Sequence, residues 1–447
     1  MNHFVRDIML QLKRSIGVCI LGFLIYFPAS FCHAQVYDGS DIRGIEQIVA
    51  QVQQQAGWRQ VADRRINQHR KSDMRIIVHD ADGKPVSGAT VQARLVNHAF
   101  AFGSAIGSRD FDTFKHVLPN FINKLGFENA LKYKHRDGIG QNAPAIIEWA
   151  KSRVMPVRGH VLMWPGWKFM HAEAQQYKGG HDLEGLRRFC EKQITDYAKK
   201  WDVVEWDVMN ESRANQDLQK LFGRAVMAEW FKLAKVNLRN KNALLYINEN
   251  KIISAPPGME RNIRLYKDEI QFLLDNGAPV SAIGLQSRFR TDAITPEMMY
   301  DRLEQFSEFN MPLTATEFEI RGSFDGKWEP TDQKRAELTE WVMHTYFSHP
   351  RVDGIIAWTF MNRADQKFGL LNGDLSVPLH GKVWLHLTRQ HWTTNERRQT
   401  TANGSVNIRG FQGEYEVTVT AGERRSIRTL HLAKTPAKLV VAWSDDI

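Results

Sequence analysis

Between residues 99 and 358 the chain alternates short apolar, β-branched runs with longer stretches of helical period, and this alternation strongly limits the possible folds. Strands that alternate with helices are typical of a parallel sheet covered by helices. Eight runs are long and apolar enough to be buried strands. The predicted strands are residues 99–105, 126–129, 156–162, 203–210, 243–248, 280–286, 313–317 and 353–358.

The count of eight favours an α/β fold of the (β/α)8 TIM barrel type, which needs about 250 residues. The chain has 447 residues, so a barrel over residues 99–370 leaves segments on both sides. An open doubly wound sheet is the alternative, but no Gly-rich phosphate loop opens any of the predicted helices.

The flanking segments carry β patterns. Residues 35–98 are predicted to form a surface helix and a hairpin whose strands, 75–79 and 90–95, surround a turn-rich stretch. Past Gly369 the helical pattern stops, and residues 371–447 are predicted to be β-rich, with hairpins near residues 403–404 and 412–413. We expect the two β elements to pack together on the barrel.

Residues 1–34 have the pattern of a secretory signal peptide. Lys13 and Arg14 precede the apolar run 16–27, and small residues end at Ala34, where cleavage is expected. A retained membrane anchor and a lipid-modified Cys32 are the alternatives. Cleavage would leave Cys190 alone, without an intramolecular disulfide. The pattern predicts a secreted or periplasmic protein with no stable membrane association after cleavage.

The amino-acid composition excludes few classes of function. The formal net charge is +9, but the basic residues are scattered rather than striped, which does not favour nucleic acid as a partner. Thirteen tryptophans could serve to stack on sugar rings, although filling a large core is the ordinary use of this residue.

Two of the predicted strands deliver a glutamate. The runs 203–211 and 312–320 carry Glu211 and Glu317 at predicted strand ends. In a closed parallel barrel both ends open onto the same face. Two carboxylates across a cleft, one protonated and one ionised, are what glycoside hydrolysis requires.

Five segments in order resemble the motifs of glycoside hydrolase family 10, whose typical member is an endo-β-1,4-xylanase. Residues 128–133 (Glu-Asn-Ala-Leu-Lys-Tyr) and 158–164 (Arg-Gly-His-Val-Leu-Met-Trp) are similar to two of its strand ends. Residues 206–211 (Trp-Asp-Val-Met-Asn-Glu) resemble its acid/base signature. Residues 285–287 (Leu-Gln-Ser) and the segment from Thr316 to Ile320 resemble its last two motifs.

The resemblance implies a retaining glycosidase without a cofactor, acting on xylan or another β-1,4-linked polysaccharide or oligosaccharide. It implies Glu211 as the general acid/base and Glu317 as the nucleophile. Internal and terminal cleavage both stay open. The implied substrate-binding residues are Glu128, Asn129, Lys132, His160, Trp164, Asn210, Gln286 and Trp358.

The chain departs from the family pattern near the nucleophile. Arg288 stands where the family usually has His, and Glu319 where it usually has Asp. We expect Arg288 to lie between Glu317 and Glu319 as a permanently charged bridge that orients the nucleophile. Pro165 replaces another family His, and a second Trp is missing after Trp358.

Two other functions fit parts of the sequence. A non-catalytic carbohydrate-binding barrel would tolerate Arg288, but binding alone does not demand two acids. A metal-dependent barrel enzyme could use His160 and strand-end acids, yet no His-x-His or His-Glu-x-x-His spacing occurs, so no metal site is predicted.

Overall fold

Eight parallel strands form the barrel that the sequence predicts. This computed structural model describes Ile45, Ile48 and residues 56–443, which belong to one compact unit, Tyr37–Ile447. The strands are β3 (Ala101–Ile106), β4 (Lys124–Phe127), β5 (Arg158–Met163), β6 (Glu205–Asn210), β7 (Leu244–Glu249), β8 (Ala282–Leu285), β10 (Leu313–Ile320) and β11 (Val352–Ala357). Their order around the barrel is β4-β3-β11-β10-β8-β7-β6-β5, and a parallel bridge between Leu125 and Val157 links β4 to β5.

The strands are buried along nearly their whole length because helices cover the outer face of the barrel and side chains fill the interior. The helical segment that follows β6 is divided at Gly223, where the backbone adopts φ 82°. The helices are α1 (Ala56–His69), α2 (Phe111–Phe114), α3 (Leu118–Phe121), α4 (Ala143–Lys151), α5 (Leu183–Lys200), α6 (Asp217–Phe222), α7 (Val226–Asn237), α8 (Arg261–Asp275), α9 (Pro296–Glu304), α10 (Asp332–Ser348) and α11 (Leu379–His386).

Helix α11 corrects the expectation that helices stop after Gly369. It begins after Pro378 and runs into a π-helix, Leu387–His391. Trp384 is fully buried, and its indole N–H donates to the carbonyl of Phe121 in α3 at 2.9 Å. The helix is apolar on more than one side, so it lacks the two-faced pattern by which a surface helix is recognised.

The predicted hairpin over residues 75–95 is wrong. The C-terminal strands are β12 (Asn395–Gln399), β13 (Ser405–Phe411), β14 (Gly413–Ala421), β15 (Arg424–Leu432) and β16 (Ala437–Ala442). Strand β1 (Lys71–His79) lies in a three-stranded sheet ordered β13-β1-β16, whereas β2 (Thr90–His98) lies in a four-stranded sheet ordered β12-β2-β14-β15. The two sheets form a β-sandwich with its own hydrophobic core, so the turn after β1 carries the chain from one sheet to the other.

The C-terminal strands do pair with the N-terminal ones, as expected, but not through the predicted hairpins. Strand β12 pairs with β2 and β13 with β1, so neither predicted turn joins neighbouring strands. The antiparallel hairpin instead joins β14 to β15 through Gly422, whose φ is 58°.

Arg70 fastens this β-sandwich to the barrel. Its guanidinium is buried between α1 and β1 and donates to the backbone carbonyls of Phe347, His349 and Val352 at 2.5–2.7 Å. These carbonyls belong to the end of α10 and the start of β11, so the contact spans the junction of the two parts.

The predicted signal peptide lies outside the described residues. No helix in the described part of the chain has the length and apolar character needed to cross a bilayer. Cys190 is buried in α5, where burial raises the pKa of its thiol to about 12. It therefore packs as a small apolar side chain, as the sequence suggests.

Candidate active site

The carboxyl ends of the barrel strands bring the predicted polar residues to one face. Asn210 ends β6, Asn248 lies in β7, Gln286 follows β8 and Glu317 lies in β10. All four are nearly or fully buried. Since neighbouring parallel strands end at the same rim, residues that are more than a hundred positions apart can share hydrogen bonds.

Glu211 follows β6 in a left-handed backbone conformation, with φ 52°. Its backbone N–H donates to the carbonyl of Asn248 at 2.9 Å. Its carboxylate accepts from Gln286 Nε2 at 2.8 Å and from Asn215 Nδ2 at 3.3 Å. A non-glycine residue rarely adopts this conformation, and the surrounding hydrogen bonds hold it there.

Glu317 has a different environment. It is only 3% exposed, and Oε1 accepts from Asn248 Nδ2 at 3.1 Å. Oε2 accepts two bonds from Arg288, from Nε at 3.0 Å and from Nη2 at 2.6 Å. A charged fork on one carboxylate oxygen is a strong interaction in a buried site. The two glutamates therefore differ in charge environment: amides surround Glu211, whereas a guanidinium holds Glu317.

Side-chain amides connect the two carboxylates. Asn248 Nδ2 also donates to Asn210 Oδ1 at 2.9 Å, and Gln286 Nε2 lies 3.5 Å from the same oxygen. Thr316 donates to Asn248 Oδ1 at 2.6 Å, which fixes the orientation of the Asn248 amide. Glu211 and Glu317 are thus the two ends of one hydrogen-bond network through Asn210, Asn248 and Gln286.

Arg288 lies between two acids, at the position expected from the sequence. Nη1 is 3.4 Å from Glu319 Oε1, while Nε and Nη2 bind Glu317. Burial alone lowers the pKa of Arg288, but the charges of Glu317 and Glu319 outweigh it, so the pKa is raised. Ser287, with φ 62°, turns the chain so that Arg288 starts the short strand β9 (Arg288–Phe289), which pairs with β10.

Glu319 also accepts from Arg321 at 3.0 Å, and the Arg321 guanidinium lies 4.0 Å from the ring of Phe368. Two guanidinium groups therefore share the buried Glu319 carboxylate, and Phe368 covers one of them.

Lys132 stands between two indoles. Its ammonium lies 5.0 Å from the ring centre of Trp164 and 5.3 Å from that of Trp358, and it donates to Asn129 Oδ1 at 3.0 Å. Burial lowers the pKa of Lys132 to about 8, although the nearby charge of Glu317 opposes the shift. The Arg288 guanidinium also lies over the Trp358 ring, 4.6 Å from its centre.

Trp164 is less available than the sequence suggests. Phe169 stacks on it with ring centres 3.4 Å apart and an interplanar angle of 12°. One face of the indole is therefore covered by Phe169 and is not available to a ligand.

His160 is buried, and its Nδ1 lies 2.7 Å from Asp207 Oδ2 while its ring packs edge-on against Trp358. Burial lowers the pKa of His160 to about 3, so the imidazole is neutral.

Glu128 is held by a residue that the sequence did not single out. Arg363, in the loop after β11, lies 3.2 Å from Glu128 Oε2 and 3.2 Å from Asp110 Oδ2. Burial raises the pKa of Glu128, and the charge of Arg363 opposes this.

Two cavities lie beside these residues. One of about 330 Å³ is lined by residues that include Arg109, Asp110, Glu128, Asn129 and Arg363. The other, of about 210 Å³, is lined by residues that include Asn129, Lys132, Trp164 and Phe169.

Arg363 is a functional candidate that sequence reasoning missed, because its irregular loop carries no periodic pattern. Asn248 was placed among the strand-end residues, as the first polar residue after an apolar run, but was given no role. Glu205, in contrast, lies away from the network and pairs with Lys124 and Arg158 inside the barrel.

Comparison with known proteins places the barrel in a family. The sequence model described as glycosyl hydrolase family 10 matches residues 92–366. The chain is 28% identical over 399 residues to an anti-sigma-I factor, RsgI6, of Acetivibrio thermocellus, covering 86% of this chain and 50% of that protein. It is 25% identical over 395 residues to endo-1,4-beta-xylanase 1 of Arabidopsis thaliana, covering 85% of this chain and 40% of the relative. The chain thus spans half or less of the length of these relatives.

Solved structures share the fold. A thermostable mutant of the xylanase Xyn10A from Cellvibrio japonicus superposes with a TM-score of 0.55 at 16% identity, covering 64% of this chain and 97% of that one. Native xylanase 10B from Thermotoga maritima gives 0.55 at 21% identity, covering 66% and 97%. The resemblance seen in the motifs is confirmed, because the family match covers more than half of the sequence: the chain belongs to glycosyl hydrolase family 10.

Proposed function

We propose that this protein hydrolyses β-1,4-glycosidic bonds in xylan or a related glycan, with retention at the anomeric carbon. The observation that carries the proposal is the single amide network that joins a guanidinium-held Glu317 to an amide-held Glu211. Family membership supports the reaction type, and the names of several relatives support xylan as the substrate.

Glu317 is the nucleophile in this proposal. Its buried carboxylate is held by Arg288, and one of its oxygens forms a bond to the anomeric carbon as the glycosidic bond breaks. Three donors orient this group, two from Arg288 and one from Asn248. Each donor also withdraws electron density, so the same contacts that position the nucleophile reduce its reactivity.

Glu211 is the acid and then the base. It gives its proton to the departing glycosidic oxygen, and in the second step it takes a proton from the water that attacks the anomeric carbon and releases Glu317. Among the described residues its side chain accepts hydrogen bonds only from the neutral amides of Gln286 and Asn215.

The surrounding residues would bind and position the sugar. Lys132, Asn129 and Glu128 line the cavities beside the network, and they would hold hydroxyl groups of the bound glycan. Trp358 presents an aromatic ring next to both Lys132 and Arg288. We assign Arg288 and Glu319 to orienting the nucleophile, and Asn210 to the sugar hydroxyl next to the reacting carbon.

A non-catalytic carbohydrate-binding role is the second candidate. It is favoured by the tight pairing of Arg288 with Glu317, which could suppress nucleophilic attack. One relative that covers most of the chain is named an anti-sigma-I factor rather than an enzyme, which also supports a role in recognition.

Kinetics on an aryl β-xyloside, followed by product analysis on xylans and β-glucans, separate the two candidates. The enzyme hypothesis predicts steady turnover, with a rate that falls by a factor of about 10³ or more in Glu317→Ala and in Glu211→Ala. The control Glu148→Ala, on the exposed side of α4, should keep the parent's turnover rate. A binding barrel would show affinity for xylo-oligosaccharides in all four proteins and no turnover in any of them.

We further propose that the protein is secreted or periplasmic, on the strength of the signal-like residues 1–34. N-terminal sequencing of the protein expressed with its own leader should begin at Gln35. A chain that retains Met1 would contradict this.

A further inference from the structure

Two histidines and an aspartate from three distant parts of the chain converge on the outer helical layer. Asp63 lies on α1, His344 on α10 and His391 at the end of the π-helix. One oxygen or nitrogen from each lies within 4.8 Å of the others. The cluster lies apart from the strand-end network, on helices that cover the barrel.

His344 is the central member. It is fully buried, and among the described residues its Nε2 has no hydrogen-bond partner. Nε2 lies 4.0 Å from Asp63 Oδ1, while Nδ1 lies 2.8 Å from Glu340 Oε1 one helical turn earlier. A buried imidazole nitrogen without a partner costs free energy, so its place opposite two potential ligands calls for an explanation.

The arrangement around His344 follows the pattern of a metal-bound histidine. Such a ring uses one nitrogen as the ligand and directs the other at a carboxylate that fixes its orientation. Glu340 is in the second position, and it is itself held by Arg59. The π-helix, a rare element often found at functional sites, ends at His391 and brings this third residue within 4.8 Å of the other two.

We propose that Asp63, His344 and His391 form a binding site for one zinc-class transition-metal ion, which ties α1, α10 and the C-terminal π-helix together. Two imidazoles and one carboxylate favour zinc over calcium or magnesium, which prefer oxygen ligands. Ligands around tetrahedral zinc stand about 3.3 Å apart, since each bond is about 2 Å long. Asp63 and His391 are exposed, so their side chains can close the remaining gap of up to about 1.5 Å and water can complete the coordination.

Titration of the untagged full-length chain, after removal of metals with a chelator, tests the site. Isothermal titration with zinc chloride should give one ion per chain with a dissociation constant in the micromolar range or tighter. Saturating zinc should raise the melting temperature by about 2–5 °C. Calcium and magnesium chloride should leave it unchanged. Zinc binding weaker than about 100 μM would overturn the proposal.

Variants localise the binding. Asp63→Ala and His391→Ala alter exposed side chains, so both should fold, and each should weaken zinc binding at least tenfold. His431→Ala is the matched control, because this exposed histidine lies on β15 in the other part of the molecule. Zinc affinity that survives both ligand substitutions would show that the ion binds elsewhere and would overturn the assignment.

Discussion

Arg288 and Asn248 decide how reactive Glu317 can be. Arg288 supplies two hydrogen bonds to one oxygen, and Asn248 supplies one to the other while also binding Asn210. The carboxylate is therefore well oriented and strongly stabilised in its resting state. Catalysis benefits only from interactions that are stronger in the transition state, so in the proposed mechanism Arg288 would both orient Glu317 and restrain its attack.

Replacing Arg288 shows which effect is larger. Arg288→Ala should lower kcat by about tenfold or more with a smaller change in KM, because Glu317 loses two of its three orienting donors. Arg288→His should retain more activity. Arg290→Ala is the matched control, since Arg290 binds the Gly322 carbonyl and stacks on Phe324 instead. Unchanged kcat and pH profile in both Arg288 variants would contradict the assigned role.

Lys132 sets an alkaline limit. Because burial lowers its pKa to about 8, the ammonium is present below pH 8 and is lost above it, together with the hydrogen bonds that we propose it donates to sugar hydroxyls. We expect kcat/KM to fall as the pH rises through about 8. Lys132→Arg, which keeps its charge, should move this limb upward, whereas Lys134→Arg should not. An alkaline limb that is identical in all three proteins would count against Lys132.

Sequence patterns identified the acids of the site but not the whole network. Glu211 and Glu317 stand at the ends of apolar runs, and Arg288 stood out as a departure from a motif. Asn248 was placed at a strand end but given no role, because one polar residue at a strand end is usual. Arg363 reaches Glu128 from 235 positions away, and only the closure of the barrel brings these residues together.

At the scale of elements, the barrel strands were predictable because buried parallel strands read as continuous apolar runs. The β-sandwich was not, since a turn between two β runs does not specify whether the chain returns to the same sheet or crosses to another. Helix α11 was missed because it is buried on several sides and has no polar stripe.

Gly381 tests the packing of α11. A Cβ at this position would lie 2.3 Å from the backbone carbonyl oxygen of Leu370, which cannot move aside as a side chain could. Gly381→Ala should therefore lower the free energy of unfolding by about 1–3 kcal/mol, measured by urea denaturation. Gly57→Ala in α1 is the control, because nothing lies within 4 Å of its added Cβ. Equal stabilities for the two variants would mean that α11 packs differently.

At the scale of the whole molecule, the chain uses its two ends to build the β-sandwich and a buried arginine to attach it. Arg70→Ala would leave three buried carbonyls without their donor, so we expect a loss of about 3 kcal/mol or more in unfolding free energy. Arg75→Ala, on the exposed side of β1, should change it by less than about 0.5 kcal/mol. A loss no greater than that of Arg75→Ala would mean that Arg70 does not hold the parts together.

The most direct test of the central claim is covalent trapping of the nucleophile. Incubation of the full-length protein with a 2-deoxy-2-fluoro-xylobioside that carries a good leaving group should inactivate it, because a slowed second step lets the glycosyl-enzyme accumulate. Mass spectrometry of proteolytic peptides should then find one added 2-deoxy-2-fluoroxylobiosyl unit on Glu317, and none in Glu317→Ala. Turnover of xylan by a protein that is labelled on another residue, or that forms no adduct at all, would contradict the account.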